Sequence, residues 1–333
     1  MQEIDVAVRF LHMVATLLAL GTFTFIFLIG RPAVKKTLDL ARVNFWEFER
    51  AQWRILAWCL TLTLITGIAA FILQTSAMTG LSLARALTPE TFGAVLMTQY
   101  GKVWLLRQAM LAGLAGVVLL SMRGNLAAAL GDKAGFTLGV CLSACLALTG
   151  HAAAGEGTAL IPLLGSSALH LVATGMWLGA LPGLAMLLEY CRSANTAQAA
   201  TVAKEATRRF SLLGLVTVGT LLVTGTFNAS QLVGDVPQLL GTSYGRILLV
   251  KLALVVPLLA LAATNLMYIR PRMLATESSN CAFGGLLTQL RRNALLEAGI
   301  GATVVLVAAT LGTTPPTDDV SLTRSNFPFF FGE

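Results

Sequence analysis

Two histidines in this chain sit in near-copies of one phrase. LHMVATLLALG covers residues 11–21 and LHLVATGMWLG covers 169–179, with seven of the eleven positions identical and an offset of 158 residues. The chain holds three histidines in all. Neutral imidazole is a common metal ligand and suits copper. A cation site built from His12 and His170 is therefore one reading of the repeated phrase. The other is that each ring bonds a neighbouring helix and holds a bundle together. Thr16 and Thr174 stand at i+4 from the two histidines, on the same helix face. They are expected to orient the rings by hydrogen bonding.

Other residue types could join such a site. His151 lies in GHAAAGEG (150–157), where Glu156 is the acidic residue. The pair reads either as a capture site for a cation or as a helix end followed by a flexible turn. Met13 and Met176 lie in the repeated phrases and carry thioether sulfur, which favours Cu(I). Methionine is also a common gap-filler between apolar helices. Cys141 and Cys145 in CLSAC share a helix face and read as soft ligands or as small hydrophobes. Arg107 and Lys251 would repel a metal ion at their depth. They are expected to snorkel to the headgroups; otherwise they pair with carboxylates or attract an anion. No Walker loop, HExxH motif or hydrolytic triad occurs, so ATP-driven or hydrolytic chemistry has no support.

The elements that must position these residues are membrane spans. Hydrophobic residues make up 56% of the 333 and charged residues 12%, where a soluble domain carries about 25% charge. Mean hydropathy is +0.77. Eight runs are long and apolar enough to cross a bilayer as helices, at roughly 6–29, 53–74, 100–122, 135–152, 165–189, 210–233, 244–268 and 295–313. The fold class is an all-α integral membrane protein. The first run lacks the basic flank of a signal peptide and is expected to be a retained helix.

Lysine and arginine set an orientation. Of the 23, 16 fall in the connections 30–54, 123–134, 190–209 and 269–294, and two, Arg85 and Arg324, fall in the opposite loops and tails. The positive-inside rule then places both termini outside the cytoplasm. The net charge of +7 follows from those loops and calls for no nucleic acid. His12, His151 and His170 all fall toward the extracytoplasmic side, and Glu297 falls near the inner end of the last span.

The repeat extends beyond the histidines. Thr66-Gly67 recurs as Thr224-Gly225 at the same offset of 158, and TQYGKVWLLR (98–107) recurs as TSYGRILLVK (242–251) at an offset of 144. Spans 4 and 8 match poorly. Four spans per unit give two parallel four-helix repeats. The expected division is 1–152, 153–316 and an extracytoplasmic tail at 317–333. Gly175 and Gly179 read as a close helix-packing surface.

The runs ALHLVATGMWLGALPGL (168–184), TGTFNASQLVG (224–234), TSYGRILLVKLAL (242–254), ATNLMYIRP (263–271) and RRNALLEAGI with LGTTPP (291–316) resemble the copper resistance protein D (CopD) family. The similarity is strongest over spans 5–8. It implies a bacterial inner-membrane protein that moves copper from periplasm toward cytoplasm, often beside a periplasmic copper-binding protein of the CopC type. On this expectation His12 and His170 converge on copper near a pseudo-twofold axis, with His151 at the entrance. Two alternatives belong to other classes. One is a b-type haem protein with His12 and His170 as axial ligands; the other is an assembly partner without a ligand.

Overall fold

Continuous apolar runs rich in leucine and alanine favour helix, because a helix satisfies its own backbone hydrogen bonds inside a bilayer. The computed structural model follows this rule. It describes residues 2–35, 45–123, 127–149, 160–232, 236–277 and 281–314, and among these no strand occurs. Among the described residues eight helical spans are long and apolar enough to cross a membrane: span 1 (Gln2–Lys35), span 2 (Glu47–Thr79), span 3 (Gln99–Met122), span 4 (Ala129–Thr149), span 5 (Leu160–Ala194), span 6 (Ala197–Gln231), span 7 (Ser243–Ala275) and span 8 (Ala282–Leu311). Short helices at Leu83–Ala86, Pro89–Met97 and Val236–Gly241 connect spans 2 to 3 and 6 to 7.

Several spans run past their apolar cores. Span 6 begins at Ala197 rather than near 210. There Glu205 holds Arg208 at 2.9 Å and Arg209 at 2.8 Å, one helical turn apart, and these pairs carry the helix into polar sequence. Span 8 begins at Ala282 rather than near 295. Glu297 therefore lies midway along its span, not at the inner end.

Spans 1 and 5 form the centre of the bundle. Span 1 packs on spans 2, 4, 5 and 8, and span 5 packs on spans 1, 4, 6 and 8. The two cross where backbones touch: a Cβ on Gly21 would overlap the backbone of Gly179, and a Cβ on Gly175 would meet Leu17 and Leu20. Small residues allow this approach. Span 5 turns at Gly179–Ala180 and restarts at Leu181, with Pro182 in the first turn, where a missing N–H costs nothing. Spans 4 and 8, so unlike in sequence, pack alike: Gly139 lies against Leu20 and Gly301 against Leu178.

The end carrying the Lys/Arg-rich connections, here the basic end, is tied by Arg31. Its guanidinium bonds Glu49 (2.9 Å) on span 2 and Asp132 (2.6 Å) on span 4. At the opposite end Arg9 pairs with Asp5 (3.0 Å) and reaches the Gly312 carbonyl at the end of span 8 (3.4 Å). Large apolar side chains such as Trp58, Val223, Val256 and Met267 point outward, as lipid-facing residues do.

Candidate functional site

His12 stands near the end of span 1 that lies away from the basic end and is buried. Its Nδ1 lies 2.9 Å from the Thr66 hydroxyl on span 2. That hydroxyl donates its own proton to the Leu62 carbonyl (2.6 Å), as mid-helix threonines do. Its oxygen is left to accept, so Nδ1 carries the imidazole proton and Nε2 carries the lone pair. The lone pair is taken by the guanidinium of Arg107 on span 3. Gly67 completes the wall: a Cβ there would sit 3.4 Å from the His12 ring.

The second histidine repeats this arrangement with one change. His170 Nδ1 lies 2.9 Å from the Thr224 hydroxyl on span 6, which donates to the Thr220 carbonyl (2.7 Å). A Cβ on Gly225 would again sit 3.4 Å from the ring. The proton is thus on Nδ1 and the lone pair on Nε2. Lys251 on span 7, at the position matching Arg107, is the cation whose field reaches His170. Among the described residues no hydrogen bond closes the Nε2 of His170. The ring is only half-buried.

Spacing therefore found the residues, and the structure assembles them differently from expectation. Arg107 does not snorkel; it is buried and bonded to His12. Burial among apolar helices left the guanidinium a neutral imidazole as its nearest acceptor. Thr16 and Thr174 do not orient the rings. Each donates to the backbone carbonyl of its own histidine, at 2.8 and 2.7 Å, because an i−4 carbonyl is the acceptor in reach along a helix. The orienting groups are Thr66 and Thr224, which sequence marked only as signs of repetition. Each ring is bonded through Nδ1 to the threonine of its neighbouring span.

The remaining candidates fall as follows. His151 and Glu156 lie outside the described residues. Met13 follows His12 at about 100° round the helix, and Met176 is six residues beyond His170, so neither shares its histidine's face. Cys145 is buried and Cys141 half-buried, and both are free thiols. Cys145 lies close enough to Arg107 to feel its charge. No group of three or more His, Cys, Asp or Glu side chains gathers to hold a metal among the described residues.

Comparison with known proteins bears on this pattern of paired histidine sites. The family model for copper resistance protein D matches residues 204–311, and that for the N-terminal domain of copper resistance protein D-like proteins matches 1–161. Copper resistance protein D of Pseudomonas syringae pv. tomato is 30% identical over 256 residues, which cover 76% of this chain and 80% of that one. The chain belongs to the copper resistance protein D family. Within it, the inner membrane protein YebZ of Escherichia coli is 28% identical over 93% of this chain and 98% of its own length. Copper transport protein CutJ of Bacillus subtilis is 29% identical over 73% of this chain and 42% of its own length. No solved structure matches. This CopD-family chain is a multi-pass inner-membrane protein. The relatives' names describe resistance and transport rather than catalysis.

Proposed function

We propose that this chain takes copper from the extracytoplasmic side and passes it inward, with His170 as the ligand that receives it. The observation that carries this reading is the fixed tautomer of His170. Thr224 holds its Nδ1–H, and the Nε2 lone pair is left without a hydrogen bond among the described residues. A metal-ligating histidine is arranged in this way, its second nitrogen anchored by a hydrogen bond. One presented imidazole is a hand-over ligand rather than a closed cage. His12, closed by Arg107, is the structural counterpart. His151 and Glu156 complete the proposal as the entrance, and Met13 and Met176 as further soft donors on the two central spans. The donor on the outside is a periplasmic copper-binding protein of the CopC type.

The proposal includes the tandem architecture: two parallel four-span units at 1–152 and 153–316, a tail at 317–333, and both termini extracytoplasmic. The matched contacts of His12 with Thr66 and Gly67 and of His170 with Thr224 and Gly225 support it, as does the charge asymmetry of the connections. The haem reading is not carried forward. It needs the Nε2 of His12, which Arg107 takes, and two rings turned toward one group. The test is titration of the purified protein in nanodiscs with Cu(I) against a colorimetric chelator. His170→Ala loses the competing site while His12→Ala keeps it; equal competition by wild type and His170→Ala overturns the assignment.

A further inference from the structure

Glu297 is a buried carboxyl that the copper reading leaves without a task. It is 2% exposed, midway along span 8. Asn265 Nδ2 on span 7 donates to its Oε1 (2.5 Å), and Asn293 Nδ2 donates to Asn265 Oδ1 (2.8 Å). Among the described residues no cation bonds it. A carboxylate buried without a counter-charge is costly and takes a proton instead. Ionisable groups at such depth are functional by default.

The carboxyl faces a cavity of about 290 Å³ bounded by spans 5–8. The matching place in spans 1–4 is occupied by large side chains. There Phe23, Trp53 and Leu56 are buried together, the two aromatic rings edge-on at 6.3 Å. The residues 158 positions later are Leu181, Ser211 and Gly214, and all three line the cavity. The Phe23 ring also lies over Gly135. Counted with the offset that relates Gly139 to Gly301, the residue matching Gly135 is Glu297. In spans 5–8 leucine, serine and glycine stand where spans 1–4 have phenylalanine, tryptophan and leucine, and a carboxyl stands where spans 1–4 have glycine. The helices agree: spans 2 and 3 pack together, whereas spans 6 and 7 touch mainly at Arg270–Ala275.

Polar groups lead from the cavity toward the basic end. Ser211 and Thr207 stand one turn apart on span 6, both on the cavity wall. Their hydroxyls donate to the Thr207 and Ala203 carbonyls, both at 2.8 Å, which leaves lone pairs for a proton donor. Asn265 opens a π-helical stretch, Asn265–Ile269, a feature found often at functional sites. The donors are oxygen, with no imidazole or sulfur on the wall, which fits a proton and not copper.

We propose that this cavity is a proton site within the membrane, that Glu297 takes up and releases the proton, and that Ser211 and Thr207 mark its route to the basic end. The tandem reading supports only the comparison with spans 1–4; the cavity and its carboxyl stand without it. Among the described residues no other titratable side chain lines the cavity. On span 5, Glu189 pairs with Arg192 and with Arg291 of span 8; on span 6, Glu205 pairs with Arg208 and Arg209. Arg270 and Arg272 of span 7 and Arg292 of span 8 lie toward the basic end, and Lys251 of span 7 toward the other. None of these lines the wall.

The test is labelling of the full-length protein in its membrane with dicyclohexylcarbodiimide, read by mass spectrometry of the peptide containing Glu297. This lipid-soluble reagent takes the carboxyl proton onto its nitrogen while the carboxyl oxygen bonds its central carbon, so it reports a protonated acid reached from an apolar space. An adduct at Glu297 is expected, falling about tenfold for each pH unit above the titration midpoint, and absent in Glu297→Gln. No adduct from about pH 5 to pH 10, or an adduct indifferent to pH across that range, overturns the proposal. No copper enters the assay, so its failure leaves the copper reading standing.

Discussion

The His12 imidazole is held from both sides, by Thr66 at Nδ1 and by the Arg107 guanidinium at Nε2, whereas His170 is held at Nδ1 alone, by Thr224. One repeated phrase thus yields a closed site and an open one. Removing His12 leaves the buried guanidinium without its acceptor. His12→Ala is expected to cost about 2–4 kcal/mol, and His170→Ala about 1 kcal/mol. Thermal unfolding of the two variants in the same detergent checks the difference; equal losses would contradict the asymmetry.

Thr224 fixes which nitrogen of His170 presents a lone pair. Thr224→Val keeps the volume and removes the acceptor, so copper affinity should fall about 10–100-fold. Thr224→Ser should restore most of it. Competition against a Cu(I) chelator reads both, and an unchanged affinity in the valine variant would remove the threonine from the account.

Close backbone approach at the crossing of spans 1 and 5 leaves no room for a methyl group. Gly21→Ala and Gly179→Ala meet backbone atoms rather than a movable side chain, so each should cost at least about 1–3 kcal/mol and lower the yield of folded protein. Gly165→Ala, with open space around it, is the control that should lose neither stability nor yield. Yield by fluorescence-detected size exclusion separates them.

Cavity filling should stabilise. Gly214→Ala adds a methyl group where nothing lies within 4 Å and gains helix propensity, about 0.5–1 kcal/mol. Its melting temperature should rise. A lower one would mean that the space is needed for folding.

Much of this was legible in the sequence. Hydropathy located all eight spans, because a bilayer demands long uninterrupted apolar helices. Their ends were not legible: ion pairs such as Glu205 with Arg208 and Arg209 extend a helix where hydropathy has already fallen. That error displaced Glu297 from mid-span to a span end and hid its depth. Spacing also found His12, Thr66 and Arg107 as repeated residues. It did not show that three spans bring them together, since contact between helices depends on rotation about each axis. Thr16 misled for a related reason, its hydroxyl having a nearer acceptor in its own helix. Gly139 and Gly301 were invisible as partners because the spans around them diverged while the close contacts stayed.

Copper passage through the chain is the central claim, and flux into sealed vesicles measures it. The purified protein is reconstituted into proteoliposomes holding a copper-sensitive dye, and Cu(I) is supplied outside from a weak chelator. Wild-type vesicles should show dye response above protein-free vesicles, with the response lost in His170→Ala and retained in His12→Ala. Flux in wild type no greater than in protein-free vesicles, or undiminished flux in His170→Ala, would contradict the account.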